Sequence, residues 1–416
     1  MKFRLLLTVI LGILFLFIGE TKAQWVQTNG PSGTTVTSFA VSNNNLFAGT
    51  YDGGVFLSTD NGTSWSAVNS GLTNTYVETL AISGNKLFAG THDGVYLSTN
   101  NGTNWTVVNN GLPSYTSVYA FAVTNTGTGG TDLFAGTYVA GEFLSTNNGT
   151  SWNAVNSGLT NDYVQTLAVS PTGTSGYNLF AGTKGGIFLS TNNGTSWNAV
   201  NSGLTNKDVF ALAVSGSNLF AGTYNGGVFL STDNGTSWNA VNSGLTNTYI
   251  NGFAISGNNL FTGTSGGVFL STNNGTSWTE VNSGLANNYV NAFVISGTTL
   301  FAGTNGNGVW RRTLSEMVTL IKDKRNDLPA DFSLAQNYPN PFNPTTTINY
   351  LVPKTSLVTI MVYDILGNEV ANLVNEEKPV GNYKVEFKAS KLSSGIYFYR
   401  MQAGSFVETK KLILMK

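Results

Sequence analysis

The sequence predicts an all-β protein: a seven-bladed β-propeller closed by its own N-terminal strand, followed by a small C-terminal Ig-like antiparallel β-sandwich. Three observations predict it. The phrase Ser-x-(Asp/Asn)-x-Gly-x-x-Trp occurs six times, ending at Trp65, Trp105, Trp152, Trp197, Trp238 and Trp278. A second phrase, Leu-Phe-(Ala/Thr)-Gly-Thr, begins at Leu46, Leu87, Leu133, Leu179, Leu219, Leu260 and Leu300. The two alternate with a period of about forty residues, the mark of a repeat array. Each period also divides into four short apolar runs bounded by turn residues, with no stretch of helical periodicity.

In chain order, residues 1–23 read as a signal peptide. Lys2 and Arg4 form the charged start, residues 5–18 an apolar stretch, and Thr21-Lys22-Ala23 a small-residue cleavage site. The apolar stretch is short for a membrane span, and no transmembrane helix is expected in the mature chain. The absence of cysteine in an exported chain leaves packing and ring closure to hold it together.

Residues 24–313 carry the repeats. In one unit, Trp65 to Val68 is an apolar strand, and residues 69–74 supply turn chemistry. Residues 76–82 form a second strand, 86–91 a third, and 95–98 a fourth, separated by the turns at Gly84 and Gly94. Four strands per repeat make one propeller blade. The seventh repeat stops at Val309-Trp310-Arg311-Arg312, while an isolated strand beginning at Trp25 matches the segment at Trp278. The Trp25 strand should therefore complete the seventh blade, because an open ring leaves an unpaired sheet edge. Two longer Gly/Thr-rich loops, at 125–132 and 171–178, read as insertions on one face.

The tryptophan phrase has a physical logic. A short acceptor such as Asp60 can take backbone N–H bonds across the turn, and Gly62 permits positive φ. The ring of Trp65 then fills the space between blades. Burying such a ring is worth roughly 4–6 kcal/mol as an upper bound, at about 25 cal/mol per Å². The pattern resembles the Asp-box of sialidase-like (BNR) propellers, with Ser58, Asp60, Gly62 and Trp65 at the matching positions. Only Asp60 and Asp233 keep the acid; Asn elsewhere accepts the same bond without charge. The box is thus structural. The blades also resemble the photosystem II assembly/stability factor propellers, a family of binding platforms, although that family's arginine-rich patch is missing.

Charge and composition exclude several functions. Between Trp25 and Trp310 there are three lysines, no arginine and ten acids, a net charge of −7. Nucleic-acid binding is not expected of such a surface. Sialidase chemistry lacks its arginine cluster. A single histidine, His92, excludes a histidine metal cluster. No cofactor, metal or catalytic residue is predicted.

Candidate ligand-binding residues lie on the face opposite the tryptophan turns. The turns there display Tyr51, Asp52, His92, Asp93, Tyr138, Lys184, Tyr224 and Asn225. The variable position of the innermost strand adds Glu78, Tyr119 and Phe210 near the channel mouth, beside Thr37, Gln165, Asn251 and Asn291. Tyr76, Tyr163, Tyr249 and Tyr289 recur in register and read as blade packing.

Residues 314–330 are charged and uneven, a linker. Residues 331–416 then show five alternating strands, at 346–351, 357–363, 383–387, 395–403 and 405–414. This stretch resembles the type A C-terminal sorting domain of the type IX (Por) secretion system. The resemblance rests on the Tyr-Pro-Asn-Pro-Phe-Asn-Pro motif at 338–344, Val-Tyr-Asp-Ile-Leu-Gly at 362–367, Ser-Gly-Ile-Tyr-Phe-Tyr-Arg at 394–400 and the closing Lys410-Lys411-Leu-Ile-Leu-Met-Lys416. It implies export through the periplasm, the type IX machinery as a partner, and surface attachment or release. The expected protein is therefore an exported, non-enzymatic propeller that binds a protein or glycan. A secreted glycan hydrolase, with two carboxylates across a cleft, and a purely structural surface component are the rivals.

Overall fold

Each repeat folds into one four-stranded antiparallel sheet. The computed structural model describes residues 24–125, 131–172, 176–319 and 331–416. The predicted signal peptide, parts of both inserted loops and most of the predicted linker lie outside the described residues. The chain falls into two units that meet between Val318 and Thr319.

In the first unit the opening blade runs Val36–Ser42, Asn45–Thr50, Gly54–Ser58 and Ser66–Ala67, from the channel outward. Sheets of the same order begin at Val77–Ser83, Val118–Asn125, Val164–Pro171, Val209–Ser215 and Ile250–Ser256. The seventh four-stranded sheet joins the two ends of the unit. It consists of Val290–Ser296, Thr299–Thr304, Val309–Thr313 and the N-terminal Val26–Gln27. Val26 pairs with Arg311, and Gln27 with Trp310. Trp25 is buried, and its indole N–H donates to the Val281 carbonyl at 2.8 Å. The predicted closure is therefore present.

The innermost strands stand side by side in chain order, and Val290–Ser296 lies against Val36–Ser42. Glycine in the Leu-Phe-Ala-Gly-Thr strand sets how near neighbouring blades approach. A Cβ on Gly303 would sit 2.5 Å from a Val36 methyl, and one on Gly222 would overlap a methyl of Ile250. The empty side chain at this position lets the next inner strand pack directly on the sheet.

The tryptophan turns join adjacent blades. The indole N–H groups of Trp105, Trp152, Trp197, Trp238 and Trp278 donate to Val68, Val108, Val155, Val200 and Val241 carbonyls of the preceding blade, at 2.7–2.8 Å. Trp65 differs at the closing seam: its N–H donates to the Thr28 hydroxyl, since Thr28 occupies the place of valine there. Within the turn, Oδ1 of Asp60 accepts from the Ser58 hydroxyl and the Ser64 amide, as expected. Gly62 has φ of 75°, and a Cβ there would run into the Phe301 ring.

Two sequence readings need correction here. Residues 314–319 are helical rather than linker, with Met317 fully buried, so the first unit extends past 313. A short helix at the end of a strand gave no periodic signal long enough to read. The second unit also has more strands than expected. Its sheets are Ser333–Leu334, Thr345–Val352 and Gly381–Lys388, and Glu369–Lys378, Ser356–Tyr363, Gly395–Ala403 and Phe406–Leu414. Glu369–Lys378 escapes a pattern search because it is an edge strand that buries only Val374. The two sheets share one core, in which Ile348, Ile360, Val362, Tyr399 and Met401 are wholly buried.

Candidate binding face

A single irregularity, repeated in every blade, builds the face. Each innermost strand slips register by one residue at its start, for example between Val77 and Thr79. The extra residues are Thr37, Glu78, Tyr119, Gln165, Phe210, Asn251 and Asn291. A β-bulge re-aims its side chain, so the variable positions noted in the sequence are the bulged ones.

Four of the seven use that aim to bind the next blade. Thr37 donates to Val77 O at 2.6 Å, Gln165 to Val209 O at 3.1 Å, Asn251 to Val290 O at 2.8 Å and Asn291 to Val36 O at 3.2 Å. Each acceptor is the residue just before the next bulge. Glu78, as a carboxylate, and Phe210 have no hydrogen to give, and Tyr119 pairs its hydroxyl with Tyr163. Those three are the sequence-predicted bulge candidates.

Around Glu78 and Tyr119 lies a continuous run of rings. Tyr51 meets Tyr76 edge-on at 5.2 Å, and Tyr76 stacks on His92 at 5.3 Å with 10° between planes. His92 continues to Tyr119 at 6.4 Å, and Tyr119 to Tyr138 at 5.7 Å and Tyr163 at 6.0 Å. Lys184 ends the run, its Nζ 4.1 Å from the centre of the Tyr163 ring, a cation–π contact. Nε2 of His92 lies 2.6 Å from Oε1 of Glu78. Burial, then the nearby Glu78 charge, pushes the Tyr119 hydroxyl up to about 12. Burial and the neighbouring Tyr119 also raise that of Tyr163. Both hydroxyls stay protonated and can donate.

A second, smaller group gathers around Phe210. It stands 6.0 Å from Tyr224 and 5.5 Å from Tyr249, and Tyr249 is 6.0 Å from Tyr289. Tyr51, Tyr76, Tyr138 and Tyr224 are each 40–47% exposed, so these rings are available to a ligand.

Tyr51, Glu78, His92, Tyr119, Tyr138 and Lys184 thus come together, while Phe210 and Tyr224 form a separate group. The remaining candidates are turn residues. Asp52 accepts a bond from the Thr34 hydroxyl, Asp93 donates its amide to Thr91 Oγ1, and Asn225 sits at φ of 60°. Reading Tyr76, Tyr163, Tyr249 and Tyr289 as blade packing missed their place in the rings. Their regular spacing was real, but the link into the innermost strand brings them to the open face. No group of three or more potential metal ligands occurs among the described residues.

Comparison with known proteins agrees with this architecture. Residues 336–415 match the secretion system C-terminal sorting domain, and residues 16–137 match the DUF6242 beta propeller domain. A search of curated proteins finds no match. Among solved structures, the chain is similar to YCF48 from Cyanidioschyzon merolae, at 17% identity and TM-score 0.53, covering 70% of this chain and 100% of that one. It is also similar to PorZ, a bacterial surface component of the type-IX secretion system of Porphyromonas gingivalis, at 15% identity and TM-score 0.51, covering 94% and 61%. A GH74 xyloglucanase from Xanthomonas campestris gives 16% identity and TM-score 0.55, covering 79% and 59%. At these identities the likeness is one of fold alone. The chain joins a β-propeller to a secretion system C-terminal sorting domain.

Proposed function

We propose that this is an exported binding protein without catalytic activity, which presents the Tyr51–Lys184 ring run to a protein or glycan partner. The supporting observation is the coincidence of two features. Glu78 and Tyr119 are two of the bulge residues that do not bond the valine carbonyl of the next inner strand, and they stand within a run of six aromatic rings, Tyr119 among them. At Thr37, Gln165, Asn251 and Asn291 the bulge spends its side chain on structure; here it leaves a surface of rings with polar tips, which suits recognition.

Catalysis is the weaker reading. A glycosidase needs one carboxyl as acid and another as base or nucleophile. Glu78 is held by His92, and Asp52 by Thr34. The sorting domain supports delivery by type IX secretion to the cell surface or the medium, with the secretion machinery as its partner. Among the described residues, no helix is long and apolar enough to cross a membrane.

The test is a binding screen of the full chain, against glycan arrays and surface-protein extracts, with Tyr51→Ala/Tyr138→Ala as the comparison. Ligands retained by the wild type and lost by the variant are expected. Retention by both would place binding elsewhere.

A further inference from the structure

Both ring groups centre on bulge residues that make no bond to the valine carbonyl of the next inner strand: Glu78 and Tyr119 in one, Phe210 in the other. Between them on the mouth stands the bulge of Gln165, whose Nε2 donates to Asp208 Oδ1 at 2.8 Å as well as to Val209 O. Aromatic rings, an amide and carboxylates therefore follow one another around the mouth, from Tyr51 to Tyr289.

We propose that the two groups are subsites for one chain of a neutral polysaccharide, lying along the mouth on both sides of Gln165. This deepens the binding role proposed above and rests on it. The chemistry favours sugar over peptide. Every ring but those of Phe210 and His92 carries a hydroxyl. A peptide would want an apolar groove, a free sheet edge or an arginine cluster. A pyranose instead offers a flat C–H face to a ring and a rim of hydroxyls to Glu78, Asp208 and Gln165. The polymer should be neutral, because the repeats between Trp25 and Trp310 carry a net charge of −7, which repels acidic chains. Two subsites on one chain make affinity rise with chain length, since the second contact is intramolecular.

The fold supplies its own test variants. Gln165 shows that glutamine at the bulge bonds the next blade, so Tyr119→Gln and Phe210→Gln remove a ring while offering that bond, and both should fold. The full chain and these variants would be titrated with neutral glucans, mannans, galactans and xyloglucan, from tetrasaccharide to polymer, with hyaluronate as the acidic control. The expected result is polymer binding at least about tenfold tighter than tetrasaccharide binding. Each single variant should weaken the polymer by a similar factor, with a melting temperature no lower than wild type, and hyaluronate should not bind. Equal affinity for short and long chains, or a polymer indifferent to Phe210→Gln yet lost with Tyr119→Gln, would overturn the second subsite while leaving the first group as the binding face. A wild type that binds no glycan in the panel would overturn the carbohydrate assignment. A ligand held equally by the wild type and the double variant would overturn the binding face itself.

Discussion

Glu78 and His92 meet at 2.6 Å on the face of the propeller, with the imidazole lying nearly parallel to the ring of Tyr76. The contact exists because a bulge turns Glu78 toward the mouth, while the turn after Leu87-Phe88-Ala89-Gly90-Thr91 carries His92 to meet it. Glu78→Gln keeps an acceptor for His92 and adds an N–H for Val118 O, the acceptor equivalent to the one Gln165 reaches. Its stability should stay within about 1 kcal/mol of wild type, the ordinary net worth of one hydrogen bond. Urea melts decide this, and a loss of more than about 2 kcal/mol would make the Glu78–His92 contact a structural necessity instead.

Glu142 is the opposite case, a carboxyl with no polar surroundings to receive it. It is fully buried, and neither oxygen has a hydrogen-bond partner. The matching residues of the other blades are Val55, Val95, Ile187, Val228, Val268 and Val309. Burial pushes its pKa well above the usual carboxylate range, so it is a neutral acid in the folded protein. A folded pKa above the unfolded value of about 4.3 means that stability is fully present below that pH and falls as pH rises through the folded value. Glu142→Val should raise stability by about 1–3 kcal/mol at neutral pH. Melts across a pH series should also lose their alkaline-side decline in the variant. A variant that kept the same slope would trace it to another group.

Asp60 and Asp233 give the reverse slope. Each carboxylate accepts from a serine hydroxyl and amide within its turn, chiefly those of Ser64 and Ser237, which lowers both pKa values to about 2. Depressed folded values mean that the contribution is complete above about pH 4 and is lost as pH falls toward about 2. Asn100, Asn147, Asn192 and Asn273 perform the same turn without charge. The double variant Asp60→Asn/Asp233→Asn should therefore match wild type at neutral pH and lose less stability between about pH 4 and 2. Acid-side thermal melts make the comparison. A clear drop at neutral pH would show that the charge itself is required.

The tryptophans should not be equal. Trp105→Phe strips a donor from the Val68 carbonyl, which had bonded the indole at 2.7 Å, and should cost about 1–3 kcal/mol. Trp65→Phe should cost less, because its ring is only half-buried and the Thr28 hydroxyl keeps other partners. Trp25→Ala should be the worst, at about 3–5 kcal/mol, since it empties a buried site and frees the edge of Val309–Thr313. Chemical denaturation ranks the three, and Trp65→Phe proving as harmful as Trp105→Phe would refute the account of the seam.

Local sequence determined the propeller strands, the tryptophan turns and even the closing of the seventh sheet. Those features depend on short-range rules: alternation, turn residues and the need to pair an edge. The sorting tail was legible instead from motifs that resemble a known family, and its edge strand Glu369–Lys378 was not legible at all. Comparison of the repeats marked the positions of Glu78, Tyr119 and Phe210 as variable and as candidates for a ligand, but not as bulges. Only the tertiary structure set them apart from their four counterparts, because the bulge that re-aims them and the carbonyl that those counterparts bind belong to different strands and different blades. The grouping of Tyr76 with His92, and of Tyr163 with Lys184, was hidden for a like reason: each pair comes from separate turns, and the closed ring of sheets is what brings those turns to one mouth.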